Sequence, residues 1–546
     1  MKIRLLPSMV GLAIGFAVPA LAQEKERIRA ATFTLKMMAA LLFLGSVTIA
    51  YGQLPNAPAV NKNYLGSSSY NLFYGRNPNP VAPGPPSSEH GGGPPPRVGP
   101  NVRVNAPASS FPNGLLGRSE TTIAQSGDGK FLVVGFNDAQ GFCGFPFGIP
   151  CTPESNPGIS GYAYSTDRGN SWTDPGVPPA FGPGVITLGD PSLDVGGHGK
   201  GTFYYSNLAF ISSGPMGVSV HRGSFSGQSF SWNLGVTFIP APAGGFLDKD
   251  LLAADKNGSR SNVYVSVTNF SDPFFNGQIE AYSSTDGGIT FTRSIVQPGE
   301  SAIINQGSQP AVGPDGAVYV AWERGWQSPI PPEIRVAKST DFGATWGPPI
   351  LVSQICSQAF TPPFGYNRGV TNDYPRIAVA ENGPWRGRVY VTYQDGRIAA
   401  GGVPPNGFIT NQNTDVYIRY SDDEGATWSV ATLVAGGLDP QFFPVVSIED
   451  GGNVDVVYYD QQAGTPLVDT YWAQSTDGGA TFKAPVKIST ATSNWETAAS
   501  DIVPNFGDYI TAVSGGNKVF ATWADSRNGA PDAFFAPIDG AGKSSH

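Results

Sequence analysis

Ser475-Thr476-Asp477-Gly478-Gly479-Ala480-Thr481-Phe482 is the clearest copy of a pattern, Ser-x-Asp-x-Gly-x-x-aromatic, that recurs along this chain. Residues 165–172, 284–291, 339–346 and 421–428 repeat it. At average residue usage the four fixed positions coincide by chance at about one start in tens of thousands. Five copies are therefore an internal repeat, which governs the rest of the reading. Each fixed residue has a physical task. The Ser and Asp side chains accept hydrogen bonds from amides just ahead and close a turn. Glycine supplies a positive φ that a Cβ would resist. The final Trp or Phe buries a large apolar face and pins the turn to its neighbours.

Between the copies the same order returns: a short strand, a Gly/Asp turn, a hydrophobic strand, a variable loop, a third strand, then the octapeptide. The first hairpins of these units fall at residues 120–136, 190–205, 248–267, 309–322, 373–393, 439–459 and 508–523, which makes seven units. Asp167 and Asp286 are about twice as far apart as Asp286 and Asp341, so a degenerate copy lies between them, near Ser224-Phe225-Ser226-Gly227, where the Asp is lost. The last unit has three strands and no octapeptide. Asn101-Val102-Arg103-Val104-Asn105, upstream of the first unit, is the candidate for its fourth strand and would close a ring. The expected fold is all-β, a β-propeller of four-stranded antiparallel blades, seven in number, with six as the alternative.

The pattern resembles the Asp-box (BNR repeat) of the sialidase-like β-propellers over most of the chain after about residue 118. The resemblance gives Asp167, Asp286, Asp341, Asp423 and Asp477 a structural role between third and fourth strands. It also implies an activity on extracellular glycans, as an exo-sialidase-type glycoside hydrolase. The alternatives are a non-catalytic propeller that binds glycan or protein at the same mouth, and an endo-glucanase-like hydrolase with two carboxylates facing across a groove.

Composition agrees with a turn-rich β protein. The 546 residues include 70 Gly, 49 Pro and 12% aromatics, with only 14% charged. A net charge of −9 with no basic stripe argues against a nucleic-acid partner. Lys2 and Arg4 precede an apolar run ending Ala20-Leu21-Ala22, and a second basic-then-apolar run follows from Lys36 to Ala50. Both read as export leaders, with translation from Met37 or Met38 as one explanation of the pair. Each is short for a membrane anchor. Residues 1–52 are thus assigned to the leader region, 53–98 to a flexible Pro/Gly-rich linker, 99–540 to the propeller and 541–546 to a tail. Cys143 and Cys151 share one loop and suit a local disulfide after export, leaving Cys356 over. Four histidines and no paired-Cys motif give no basis for zinc, and no cofactor is expected. The expected partner is extracellular carbohydrate or glycoprotein, met by a monomer.

The repeat also sorts residues between two faces. The octapeptides and the Gly/Asp turns share the lower face, while first-strand beginnings and the loops after second strands share the upper one, where binding sites concentrate. One polar ring there is Glu120, Asp190, Asp248, Gln309, Asp373, Asp439 and Asp508. A second, at second-strand ends, is Asp138, Asn207, Asn269, Glu323, Asp395, Asp460 and Asp525. Read plainly, such residues cap strands; as a set they could supply acid/base groups. Sialidases grip a carboxylate with three arginines, and use a Tyr nucleophile and an Asp acid/base. That resemblance implies Arg324, Arg397 and Arg527 as the clamp, Tyr509 as the nucleophile, and Asp395 or Asp138 as the acid/base. The chain departs from the family in two ways: no Arg-Ile-Pro opens the first unit, and no glutamate is evident to activate Tyr509. Salt bridges to adjacent acids are the plain alternative for the arginines.

Overall fold

The computed structural model describes residues 97–107, 114–143, 157–180, 185–197, 199–211, 216–242, 246–270, 277–396, 407–409 and 412–540. These form seven antiparallel blades. From inner to outer strand, blade one is Arg118–Gln125, Leu132–Asp138, Ser160–Ser165 and Thr173–Gly176. The innermost strands of blades two to six are Val185–Gly196, Leu247–Ala254, Asn305–Val312, Arg376–Val379 and Gln441–Ile448. Blade seven is built from Thr511–Gly515, Lys518–Asp525 and Asp532–Asp539, and its outer edge comes from the other end of the chain. Val102 and Arg103 pair with Phe535 and Phe534. Arg97 and Val98 add a further rung on Asp539 and Ile538, two residues ahead of the expected start at 99. Among the described residues no helix is long and apolar enough to cross a membrane.

The core lies between blades. Ile123, Leu132, Val134 and Phe136 of blade one pack with Phe520, Ala533 and Phe535 of blade seven, and Val104 of the closing segment joins them. A comparable cluster joins blades two and three through Leu208, Val218, Val220, Leu252, Val265 and Val267. Each buried aliphatic side chain contributes about 1.5–3 kcal/mol by leaving water.

All five octapeptides fold alike. In the last, the Ser475 hydroxyl donates to Asp477 Oδ1 (2.7 Å) and accepts from Gly479 N (2.8 Å). Asp477 accepts from the Thr481 amide (2.9 Å) and hydroxyl (2.6 Å). The hydroxyl residue before the aromatic, Ser171, Thr290, Thr345, Thr427 or Thr481, thus closes the turn in every copy, a position the four-residue pattern leaves open. Bonds from Thr345 and Ser339 lower the Asp341 carboxyl to about 2. The glycine is needed for contact as well as for φ: a Cβ on Gly169 would stand 2.1 Å from the Phe535 ring of blade seven. Trp172 meets that same ring edge-on at 5.2 Å. In blade two, Ser226 pairs with Ser229 across a two-residue turn, so the degenerate copy has become a tight hairpin.

At the upper end, the inner-strand pairing slips just before Thr122, Ser192, Leu251, Gln309 and Val445. These are β-bulges, which re-aim a side chain and sharpen the local twist. The bulged residue is left-handed in each: Glu120 (φ 50°), Asp190 (54°), Lys249 (53°), Gly307 (68°) and Phe443 (51°). Tyr374 and Tyr509 hold the same place, two residues before Arg376 and Thr511. The inward ring is therefore Glu120, Asp190, Lys249, Gly307, Tyr374, Phe443 and Tyr509. Of the ring expected from sequence it keeps Glu120 and Asp190; in blades three, four and six, where bulges shift the register, Lys249, Gly307 and Phe443 replace Asp248, Gln309 and Asp439, and in blades five and seven Tyr374 and Tyr509 replace Asp373 and Asp508.

Gly307 combines positive φ with a Cβ position 2.1 Å from the Tyr374 ring. Gly176 (φ 86°) has nothing within 4 Å of its Cβ position. Gly176→Ala should cost about 1–2 kcal/mol for the backbone alone. Gly307→Ala should cost that plus about 1–3 kcal/mol of overpacking. Urea unfolding of both variants checks the order.

Candidate functional site

The upper mouth is occupied by a buried ammonium. Lys249, 8% exposed, donates to Glu120 Oε1 (3.0 Å), Asp190 Oδ1 (3.2 Å) and Asp508 Oδ2 (2.8 Å), so blades one, two, three and seven meet at one nitrogen. Asp508 also accepts from Arg368 Nη1 (3.1 Å), Asn372 Nδ2 (2.9 Å) and the Tyr366 hydroxyl (2.9 Å). Asn137 Nδ2 and the Asp508 amide donate to Glu120.

Below this knot, Tyr509 spans the channel from blade seven and donates its hydroxyl to Pro191 O on blade two (2.9 Å). The Arg376 guanidinium of blade five lies 4.7 Å from the centre of the Tyr509 ring.

A strap roofs the site. Residues 355–375, between blades four and five, run over blade six toward blade seven. Gln461 of blade six holds Phe364 by both its amide (3.0 Å) and its carbonyl (2.9 Å). Asn367 exchanges bonds with Asn505 and Ile502, and Asn505 Nδ2 donates to Gly365 O. Trp495 stacks on Phe506 at 4.2 Å beneath it. Polar and aromatic contacts thus tie this strap to the upper loop that precedes blade seven.

Burial and charge push the two central carboxyls apart. Burial raises Glu120 to about 8 against the pull of Lys249, with Asp190 and Asp508 adding to the rise. Burial acts on Asp508 too, but Arg368 and Lys249 outweigh it and hold that carboxyl well below its usual range. Burial, then Glu120 and Asp190, place the Tyr509 phenol well above its ordinary value. Burial lowers Arg376 to about 10. Among the described residues no cluster of three or more His, Cys, Asp or Glu could hold a metal ion.

The residues singled out by sequence stand as follows. Arg324 is gripped by Glu300 (2.8 and 2.6 Å) and Glu333 (3.1 Å). Arg527 pairs with Asp525 (3.0 and 2.6 Å) and reaches Asn101 and Thr490, over the Phe534 ring. The structure does not bring these two arginines to one point: each neutralises local carboxylates. Arg397 lies outside the described residues. Asp138 is buried beside Arg118 (3.0 Å) and caps Gln140 N. Asp395 Oδ1 accepts from Cys356 N (2.9 Å). Neither is near enough to Tyr509 to bond it.

Cys143 is disulfide-bonded, its expected partner Cys151 lies outside the described residues, and Cys356 is buried. The central groups that sequence reading missed are Lys249, Arg368 and Arg376. Tyr374-Pro375-Arg376-Ile377 carried a faint signal, as the nearest match to the sialidase Arg-Ile-Pro.

No family model matches the sequence, and no curated protein does. Solved structures similar to the chain include a protein of unknown function from Dyadobacter fermentans (16% identity, TM-score 0.42, 68% of this chain and 96% of that one). Another is an α-L-arabinanase of Penicillium chrysogenum complexed with arabinobiose (11%, 0.42, 81% and 99%). A third is a leech intramolecular trans-sialidase (11%, 0.40, 65% and 67%).

Glu120 gives this site a pH signature. Its folded pKa lies above its unfolded one, so its contribution is complete below about 4.5 and fades as pH rises to about 8. Over that window stability should fall by up to about 1.4 kcal/mol per pH unit from this group. Glu120→Gln, which mimics the protonated form, should flatten that part of the slope. Urea midpoints between pH 5 and 9 for both proteins check it.

Proposed function

We propose that this chain is an exported, sialidase-like Asp-box propeller that binds glycan at its upper face and does not hydrolyse it through a tyrosine nucleophile. The carrying observation is Tyr509. It is 3% exposed, its hydroxyl is committed to Pro191 O, and its phenol is held well above its ordinary pKa. A nucleophile needs the opposite on all three counts: access, a free oxygen and an activating base. The clamp reading also loses support, because Arg324 and Arg527 are neutralised separately.

Binding is supported by the surface above the roof. Phe360 of the strap is 46% exposed and sits 4.9 Å from Phe408 of the next upper loop, a ring pair on which a sugar face could stack. The leader-like runs before residue 52 support export.

A hydrolase remains the second reading, favoured by one feature. Glu120 and Asp508 touch the same ammonium yet prefer opposite protonation states, the division of labour that paired-carboxylate glycosidases use. That chemistry would require residues 355–375 to lift.

The test uses the mature chain on a glycan array and on fluorogenic sialosides and arabinofuranosides. Glycan binding that falls about tenfold in Phe360→Ala, with no turnover above background, is expected. Turnover that disappears in both Glu120→Gln and Asp508→Asn would sink the binding-only reading and establish the hydrolase. Neither binding nor turnover would discard the glycan assignment.

A further inference from the structure

The strap is fastened at its two ends by different chemistry. At its tip Arg368 meets Asp508, an ion pair. At its base the two feet, residues 355–359 and 371–375, are joined through carboxyls that have no such partner. Thr371 N donates to Ala359 O (2.9 Å), foot to foot. The Asp373 carboxyl accepts from the Ser357 hydroxyl and Gln358 N (3.3 Å) of the first foot, and from Gln394 Nε2 (3.1 Å) of blade five. Asp373 N in turn donates to Glu323 Oε2 (3.3 Å) on the second strand of blade four.

Glu323 and Asp373 are both 0% exposed, and Glu323 Oε1 has no hydrogen-bond partner among the described residues. Among those residues no cation bonds either carboxyl. Arg324 of blade four faces Glu300 and Glu333, Arg368 of the strap faces Asp508, and Arg376 of blade five lies over the Tyr509 ring. Blade five adds Asp395, which accepts from Cys356 N of the first foot (2.9 Å) and brings more negative charge. Blade six contributes the neutral Phe443 amide, which orients Gln394 by donating to its Oε1 (2.7 Å).

Two buried carboxyls without a counter-charge cannot both ionise in place at modest cost. Burial, then Asp373, raises Glu323 well above the usual carboxylate range. Burial raises Asp373 to about 7 against the bonds from Ser357, Gln358 and Gln394, with Asp395 adding to the rise. Both folded values exceed the unfolded ones, so this part of the closed base is fully stable below about pH 4 and weakens as pH rises through about 7 and beyond.

We propose that the feet of the strap form a pH-sensitive clasp, closed while Glu323 or Asp373 keeps its proton and released once both carboxyls are ionised. The tip stays in place, because Arg368 and Asp508 remain charged across this range. Release parts Ser357 from the Phe408 segment, which it pairs through Gly407 O (2.7 Å) and Ile409 N (2.9 Å). The clasp is a property of the strap and does not depend on the glycan reading of the surface above it.

The experiment is hydrogen–deuterium exchange of the full chain between pH 6 and 9, with each amide corrected for its intrinsic base-catalysed rate. The foot amides of Gln358, Ala359, Thr371 and Asp373 should lose protection by about tenfold or more, while the tip amides of Phe364 and Asn367 change by less than about threefold. Glu323→Gln and Asp373→Asn, each unable to ionise at that position, should keep the feet protected at pH 9. Foot protection that is constant with pH in the wild type, equal loss at feet and tip, or a loss undiminished in both variants would overturn the proposal. The wild-type comparison of feet with tip decides the matter if neither variant folds.

Discussion

A lysine ammonium buried at the centre of seven blades sets the terms for everything around it. An isolated charge in such a place is untenable, so Lys249 must be surrounded by carboxylates, and Glu120, Asp190 and Asp508 arrive from three other blades to do so. Those acids then need donors of their own, which brings in Asn137, Asn372, Tyr366 and Arg368. The network is self-consistent only when every member is present. It joins the mouth of the ring across its diameter, where blade-to-blade hydrophobic packing cannot reach.

The same network closes what would otherwise be an open funnel. Arg368 and Tyr366 belong to the strap, so satisfying Asp508 draws the strap over the mouth. Removing a member leaves an unpaired buried charge, a larger loss than the pair's own net contribution. The strap is therefore tied to the mouth by the same buried charges that join the blades there.

The parts of this architecture legible in the sequence are those with local chemistry. A Ser-x-Asp-x-Gly turn is made by residues within eight positions of one another, so each copy declares itself. The closing strand could be inferred because the last unit lacked a partner and Val102-Arg103 lay ahead of the first. Lys249 was hidden by a bulge: counting along an undistorted strand puts Asp248 in the ring, where it instead meets Gln306. A lone lysine among acids reads as a solvated surface charge. The strap has no repeat to mark it, and its contacts join residues such as Asn367 and Asn505 that no spacing relates. Arg324 and Arg527 show the converse risk. Arginines beside acids in sequence found acids in space, Arg527 the very Asp525 two residues before it.

Blade seven has a temporal consequence. Its outer rungs, Arg97–Val98 and Val102–Arg103, are synthesised first, yet their partners Phe534, Phe535, Ile538 and Asp539 emerge among the last residues of the propeller. Until then six blades can assemble in order while the leading segment waits without a mate. Such distant pairing is slow and leaves apolar edges bare in the meantime. A chain of this design closes its ring in one late step, when the last blade meets the segment ahead of the first.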